Sequence, residues 1–225
     1  MHWVIQENLH QERGHDDLMA ALTRAGLSFS QHKVVPFSGD LIPDVSPAGP
    51  VIVMGTYSMC RTAKRKGWAP GCFDAGVIPL KDQMDRWHGY MLNSDATIGK
   101  FGDIAPTLDR FFVRPTADTK QFAGTVMGID DFREWQRKVI ALKLDDGSGL
   151  TADTEVFYAA PKNIGVEYRL WVVDGEIVTA SRYPKASPDI DPGALALGRQ
   201  MVEKWSPLPA FVLDVCLVDY GWAIV

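Results

Sequence analysis

Apolar residues recur along this chain in two rhythms, and the two alternate. Trp3-Val-Ile-Gln6 is a short apolar strand. From His15 to Ala25, Leu18, Met19, Ala21, Leu22 and Ala25 fall at helical spacing, and Gly26 is a natural stop. Phe29 to Phe37 alternates loosely and breaks at Pro36, so a second strand is predicted there. After a polar stretch rich in Pro, Asp, Ser and Gly, Pro50-Val-Ile-Val-Met-Gly-Thr56 reads as a buried strand and Tyr57 to Lys66 as a helix. That order implies a small α/β unit with a parallel sheet. The stretch from Trp68 to Asp109 follows neither rhythm; its Trp68, Trp87 and Tyr90 suggest a packed, irregular connection between two lobes.

Beyond Asp109 the rhythm is mostly that of strands. Phe111 to Val113 is a strand that delivers Arg114 just before Pro115, where ladder pairing should stop. A polar loop from Pro115 to Thr119 leads to a strand expected to start near Lys120. Asp130 to Leu142 is amphipathic, with Phe132, Trp135, Val139 and Leu142 on one face. Glu155 to Ala159 is a strand broken by Pro161-Lys-Asn163. Val166 to Val173 and Glu176 to Tyr183 flank Asp174-Gly175, the signature of a two-residue hairpin turn. Regular pairing from that turn puts Glu167, Arg169 and Arg182 on one face, with Tyr168, Leu170 and Val172 on the other. Asp191 to Trp205 reads as a helix, and Phe211 to Val218 with Trp222 to Val225 as a last hairpin.

Composition narrows the classes. The chain has 225 residues, 46% hydrophobic and 23% charged, ordinary for a globular protein with a core to bury. A net charge of −5 and a pI near 5.5 argue against a nucleic-acid partner. No apolar run approaches the roughly 20 residues that span a bilayer, and the N-terminus lacks signal-peptide features. Cys60, Cys72 and Cys216 are widely spaced and do not resemble a disulfide framework, so free thiols and a cytoplasmic location are expected.

Several residues invite chemistry. Arg114 and Lys120, flanking a loop with spare backbone N–H groups, suit a polyphosphate; two solvated surface cations are the plain alternative. Lys100 lies between Gly99 and Gly102, which permits close backbone approach to a ligand or simply a turn. Lys64-Arg-Lys66 sits where a helix C-terminus favours cations anyway. The charged hairpin face is either wet or holds a ligand. Asp214 interrupts an apolar strand and must be paired or bound to a cation, which makes it a metal candidate. His2, His10, His15, His32 and His88 share no zinc spacing with a Cys pair, and Cys216 in a buried strand is a poor nucleophile. No Walker or dinucleotide-binding fingerprint occurs.

The order of the pieces resembles the ATP-grasp superfamily of ligases, from about Phe111 to Val225. Phe112-Val-Arg-Pro115 with Asp118-Thr-Lys120-Gln-Phe-Ala-Gly124 looks like the strand and flexible loop that clamp the ATP phosphates. Arg114 at the position where many members carry Lys resembles a divergent, often phage-associated branch. Gly165-Val-Glu-Tyr-Arg169 through Val178 looks like the grasp hairpin whose Arg contacts phosphate. Val212-Leu-Asp214 with Asp219 to Val225 resembles the strand pair bearing the magnesium ligands. The family's Glu-x-Asn, which completes the metal site, is expected just past Val225, so the domain reads as cut short there.

The resemblance implies an α+β protein: an α/β pre-grasp domain over residues 1–95, then an ATP-grasp domain over 96–225. It implies ATP and Mg²⁺ as cofactors. Arg169 and Lys120 would be catalytic. Arg114, Lys120, Lys100, Tyr158, Ala159, Lys162, Asn163, Glu167 and Arg182 would bind nucleotide, the segment 157–163 running beside adenine, and Asp214 would bind metal. The implied activity is ligation of a small-molecule or peptide carboxylate to an amine or thiol through an acyl-phosphate, releasing ADP and phosphate. No nucleic-acid or membrane partner is implied; a homodimer is allowed. The alternative is a non-catalytic nucleotide-binding or interaction protein of the same shape.

Overall fold

A computed structural model describes residues 1–9, 14–72, 78–117, 121–142, 149–183, 187 and 189–225. The chain forms two compact units, Met1–Asp74 and Ala75–Val225.

In the first unit, β1 (His2–Gln6), α1 (His15–Arg24), β2 (Ser28–Val34), β3 (Leu41–Ile42), β4 (Val51–Met54), α2 (Tyr57–Arg65) and β5 (Pro70–Gly71) follow in order. They build a five-stranded sheet, β3-β2-β1-β4-β5. β1 is parallel to β2 and β4, and β4 to β5, so the expected parallel α/β unit is present. Val4, Val34, Leu41, Val51 and Met59 are its core, and the Thr56 N–H donates to buried Gln6 Oε1 at 2.8 Å.

The expectation of free thiols needs correction: Cys60 and Cys72 form a disulfide, their Cα atoms 5.3 Å apart. α2 starts at the edge where β4 ends, and β5, parallel to β4, ends at the same edge. Parallel topology thus brings together two residues that look distant in sequence. The thiol argument for a cytoplasmic location lapses with it. No described helix is long and apolar enough to cross a membrane.

Cys216 is fully buried, and burial, aided by the Glu167 carboxylate, pushes its thiol up to about 11. We expect no thiol to react in the folded chain at mildly alkaline pH, one in denaturant, and all three cysteines once reductant is added. Three reactive thiols in denaturant without reductant would disprove the bridge.

The second unit contains α3 (Leu80–Arg86), β6 (Thr97–Lys100), β7 (Arg110–Pro115), β8 (Thr125–Gly128), α4 (Ile129–Leu142), β9 (Glu155–Ala159), β10 (Val166–Val173), β11 (Glu176–Tyr183), α5 (Pro192–Lys204), β12 (Ala210–Val218) and β13 (Gly221–Ile224). Two antiparallel four-stranded sheets result, β6-β9-β7-β8 and β11-β10-β12-β13. β5, α3 and β6 lie inside the stretch read as irregular. At two, seven and four residues they are too short to show a period. Ile78, Leu80, Met84, Trp87 and Met91, assigned by sequence to the first domain, pack in the second unit's core, because Trp87 is buried against α5.

α4 covers the first sheet, with Phe132, Trp135 and Val139 on the core formed by Phe101, Phe111, Val113 and Val156. The side chain of Leu142 lies outside what is described. α5 covers the second sheet over Leu170, Val172, Phe211 and Leu213. Asp191 caps α5, its carboxylate accepting the Gly193 N–H at 2.7 Å. Gly198 is there because a Cβ would come 2.3 Å from Leu170 Cδ1. β8 starts at Thr125 and not near Lys120. Toward β8 the β7 ladder ends at Val113↔Thr125, while toward β9 it runs on to Pro115↔Val156.

The hairpin turn is as expected: Asp174 and Gly175 have φ of 49° and 79°, the left-handed pair of a type I′ turn. Its register is not. Val172 pairs with Ile177, but Trp171 pairs with Thr179, so Val178 bulges out. The bulge exchanges the faces of β11. Small Ala180 now lies beneath α5 opposite Leu170, while Thr179 and Ser181 turn to the other side.

Candidate functional site

The face of the second sheet turned away from α5 carries the charges. Arg169 on β10 stands directly opposite Asp214 on β12. The guanidinium grips the carboxylate with two parallel bonds, Nε to Oδ1 at 2.8 Å and Nη2 to Oδ2 at 2.6 Å. The Tyr183 ring lies 5.8 Å from Arg169 Cζ, a cation–π contact from β11. Alternation along β10 puts Glu167 on the same face, diagonal to Asp214 across the ladder. Glu167 is half-buried with no hydrogen-bond partner among the described residues. Burial first, then the Asp214 carboxylate, push its pKa up against the pull of Arg169. One cation between two carboxylates, one of them unpaired, is a site short of positive charge.

Two sequence assignments to this face change. Arg182 pairs with Tyr168, on the α5 side, and is exposed; the bulge moved it there. Asp214, expected to bind metal, is held by Arg169. Neither change could be read from the sequence, which does not announce the bulge or the β10–β12 register.

The first sheet presents Arg114 on the face opposite its aromatic core, beside Phe112 and across from Phe157. Its one bond among the described residues is Nε to the Pro115 carbonyl at 3.4 Å, so the guanidinium is nearly unspent. Lys120, its expected counterpart, lies outside the described residues. Tyr158 turns the other way, its ring 5.7 Å from Phe111 within the core, which leaves only its backbone for a ligand. Ala159 is buried and Asn163 exposed.

Both remaining lysines are already engaged. Lys100 pairs with Asp153 at 2.7 Å, and the glycines beside it serve packing: a Cβ at Gly99 would strike Ile104 Cγ2 at 2.6 Å, one at Gly102 would press on Ala152. Lys162 binds Asp95, which also accepts the Ala160 N–H at 3.2 Å. Sequence reasoning missed Asp95. It pins the 160–165 strap between the sheets, and nothing in its local sequence signals that.

No group of three or more His, Cys, Asp or Glu able to hold a metal occurs among the described residues. A Mg²⁺ that bridges phosphates needs only one or two carboxylates, and Asp214 with unpaired Glu167 fits that donor set.

Solved structures share this fold. A RimK-domain ATP-grasp protein from Sphaerobacter thermophilus superposes with a TM-score of 0.60 at 9% identity, over 100% of this chain and 89% of that one. A D-alanine–D-alanine ligase from Bacillus anthracis, complexed with ATP, gives 0.60 at 12%, over 100% and 84%. A D-cycloserine synthetase gives 0.58 at 13%, over 100% and 90%. The architecture is therefore that of the ATP-grasp superfamily. The chain belongs to a family of ATP-grasp domains, family 3 of its clade, whose model matches residues 44–225. No curated protein sequence matches it.

Proposed function

We propose that the chain is an ATP-dependent ligase joining a carboxylate to an amine or a thiol through an acyl-phosphate. The observation that carries this reading is the Arg169–Asp214 couple on an open sheet face, with unpaired Glu167 beside it, in an ATP-grasp chain. Arg169 lies where it can turn to the γ-phosphoryl group, and Arg114 and Lys120 hold the rest of the phosphate chain. The backbone of Phe157 to Asn163 edges adenine. Asp214 with Glu167 would hold Mg²⁺, which when bound neutralises phosphate charge.

The substrate carboxylate attacks the γ-phosphorus and ADP leaves; the amine or thiol then attacks the acyl carbon and phosphate leaves. These residues contribute positioning and charge neutralisation, the main terms in phosphoryl transfer. The domain limits of 1–95 and 96–225 remain part of this reading, the first serving acceptor choice. ATP is a cytoplasmic compound, so we place the activity there, with the Cys60–Cys72 bridge open to reduction.

One observation favours a second reading, a nucleotide-binding or interaction protein without turnover. Arg169 and Asp214 satisfy each other, so nucleotide must compete with a closed pair. Calorimetry with ATP, with and without Mg²⁺, tests both. An ADP assay follows, using D-amino acids and short peptides, suggested by relatives named for D-alanine ligation and for a precursor complex. Binding with acceptor-dependent ADP supports the ligase; binding without ADP leaves the second reading; no binding sinks both.

A further inference from the structure

The first unit holds a second constellation that the ATP chemistry does not use. Ser28, Ser30 and His32 occupy alternate positions of β2 and so share one face, and His2 on β1 stands opposite Ser28. His2 Nδ1 lies 2.7 Å from Ser28 Oγ, and His2 Nε2 lies 2.8 Å from Ser30 Oγ. Ser30 Oγ is also 2.7 Å from His32 Nε2, and His32 Nδ1 is 2.6 Å from the Pro43 carbonyl oxygen. Ser28, His2 and Ser30 line a cavity of about 450 Å³ whose other wall is Met1, Val45, Pro47 and Ala48. That volume is within the usual range of small-molecule sites.

The end of this chain of bonds fixes its direction. A carbonyl only accepts, so His32 Nδ1 carries the hydrogen, and in the neutral ring Nε2 is left as an acceptor. Ser30 must then donate its proton to His32 and accept from His2 Nε2–H, which leaves His2 Nδ1 to accept from Ser28. Ser30 is therefore a hydroxyl hydrogen-bonded to an imidazole base, and a third group orients that base from behind. This is the arrangement of an activated nucleophile. His32 is buried and its tautomer is set by the fixed carbonyl, whereas His2, the base facing Ser28, is set only by two hydroxyls. That difference singles out Ser30 over Ser28.

We propose that Ser30 and His32 form a serine–histidine acyl-transfer site that hydrolyses small neutral carboxylic esters. The cavity lining has no carboxylate, ammonium or guanidinium side chain, and its far wall is apolar, which suits an uncharged acyl group. Ser30 Oγ bonds to the ester carbonyl carbon while its proton passes to His32 Nε2. The carbon–oxygen bond to the alcohol then breaks, and His32 returns the proton to the departing alkoxide. Water, deprotonated by His32, attacks the acyl-serine; the acid leaves and Ser30 regains its proton. Ester and water go to acid and alcohol. His2 Nε2–H remains as the donor nearest the developing negative charge.

The test uses the full chain with a fluorophosphonate probe and with 4-nitrophenyl acetate. The probe is expected to add once, at Ser30, as read by peptide mass mapping, which needs no variant. Ser30→Ala is expected to lower labelling and nitrophenolate release by about 100-fold or more, and His32→Gln by a similar factor, the usual range for losing a general base. Ser28→Ala should keep labelling within roughly threefold, since that hydroxyl is not the nucleophile. An unlabelled parent chain, an adduct mapped to another residue, or Ser30→Ala that hydrolyses the ester like the parent overturns the proposal. The outcome is independent of the ligase reading, because no residue of the second unit takes part.

Discussion

Arg169→Ala lowers acceptor-dependent ADP release by about 10²–10³-fold while the chain stays folded, the range for removing one preorganised donor from a transition state. Two opposed effects set this expectation. Arg169 is worth little to stability: its side chain is 41% exposed and that of Asp214 19%, so the pair is worth about 1 kcal/mol after solvent screening. That corresponds to a melting shift of about 2–4 °C in a chain this long. The catalytic loss should be larger, because the guanidinium is the described cation that the sheet places among carboxylates, and phosphate charge grows toward transfer.

Arg169→Lys should recover only part of the activity, since an ammonium cannot make the two parallel bonds that hold Asp214. ADP release within roughly threefold of the parent would reduce Arg169 to a strut, and the assignment would fall. Asp214→Asn separates the roles further. It frees the guanidinium and removes the carboxylate, so phosphate affinity without Mg²⁺ should rise while its dependence on Mg²⁺ weakens.

Much of this fold could be read from periodicity, because long elements leave long records. α4 and α5 show their apolar stripes, and the β10–β11 hairpin announces itself by Asp174-Gly175. What failed was the information carried by neighbours far away in the chain. The bulge at Val178 depends on what α5 can accept beneath it, and Ala180 fits under Gly198 where Thr179 would not. A one-residue slip turns a strand over, so Arg182 left the site for a reason that lies in another element. Asp214 was recognisable as a carboxylate needing a partner, but its partner follows from the β10–β12 register. Cys60 and Cys72 likewise meet only because β4 and β5 run the same way. The histidines show the same limit: without zinc spacing they carry no signal, yet parallel strands line up His2, Ser30 and His32 within bonding distance.

Trp87→Ala should cost about 3–5 kcal/mol of stability, the usual penalty for emptying a large aromatic site in a packed core. The residue belongs to the stretch with no readable period, yet it is among the most buried aromatics, at 2% exposure. Its indole N–H donates to the Met201 carbonyl at 3.0 Å, and its ring meets Trp205 edge-on at 5.1 Å. The Met201 carbonyl also accepts the Trp205 N–H, so losing the indole does not orphan it, and the cost is chiefly the cavity. Trp87→Phe keeps most of the volume and loses the bond, for which about 1–2 kcal/mol is expected. Urea melts of both variants measure the difference. Trp87 packs on the α5 side of the second sheet, away from Arg169 and Asp214, so Trp87→Ala kept below its melting temperature should bind Mg·ATP with unchanged affinity. A stability loss under about 1 kcal/mol would mean that this core is not packed as described. A loss of nucleotide binding in the folded variant would mean that the two faces of the sheet are coupled, and that the charged face needs α5 and its tryptophans to hold Arg169 in place.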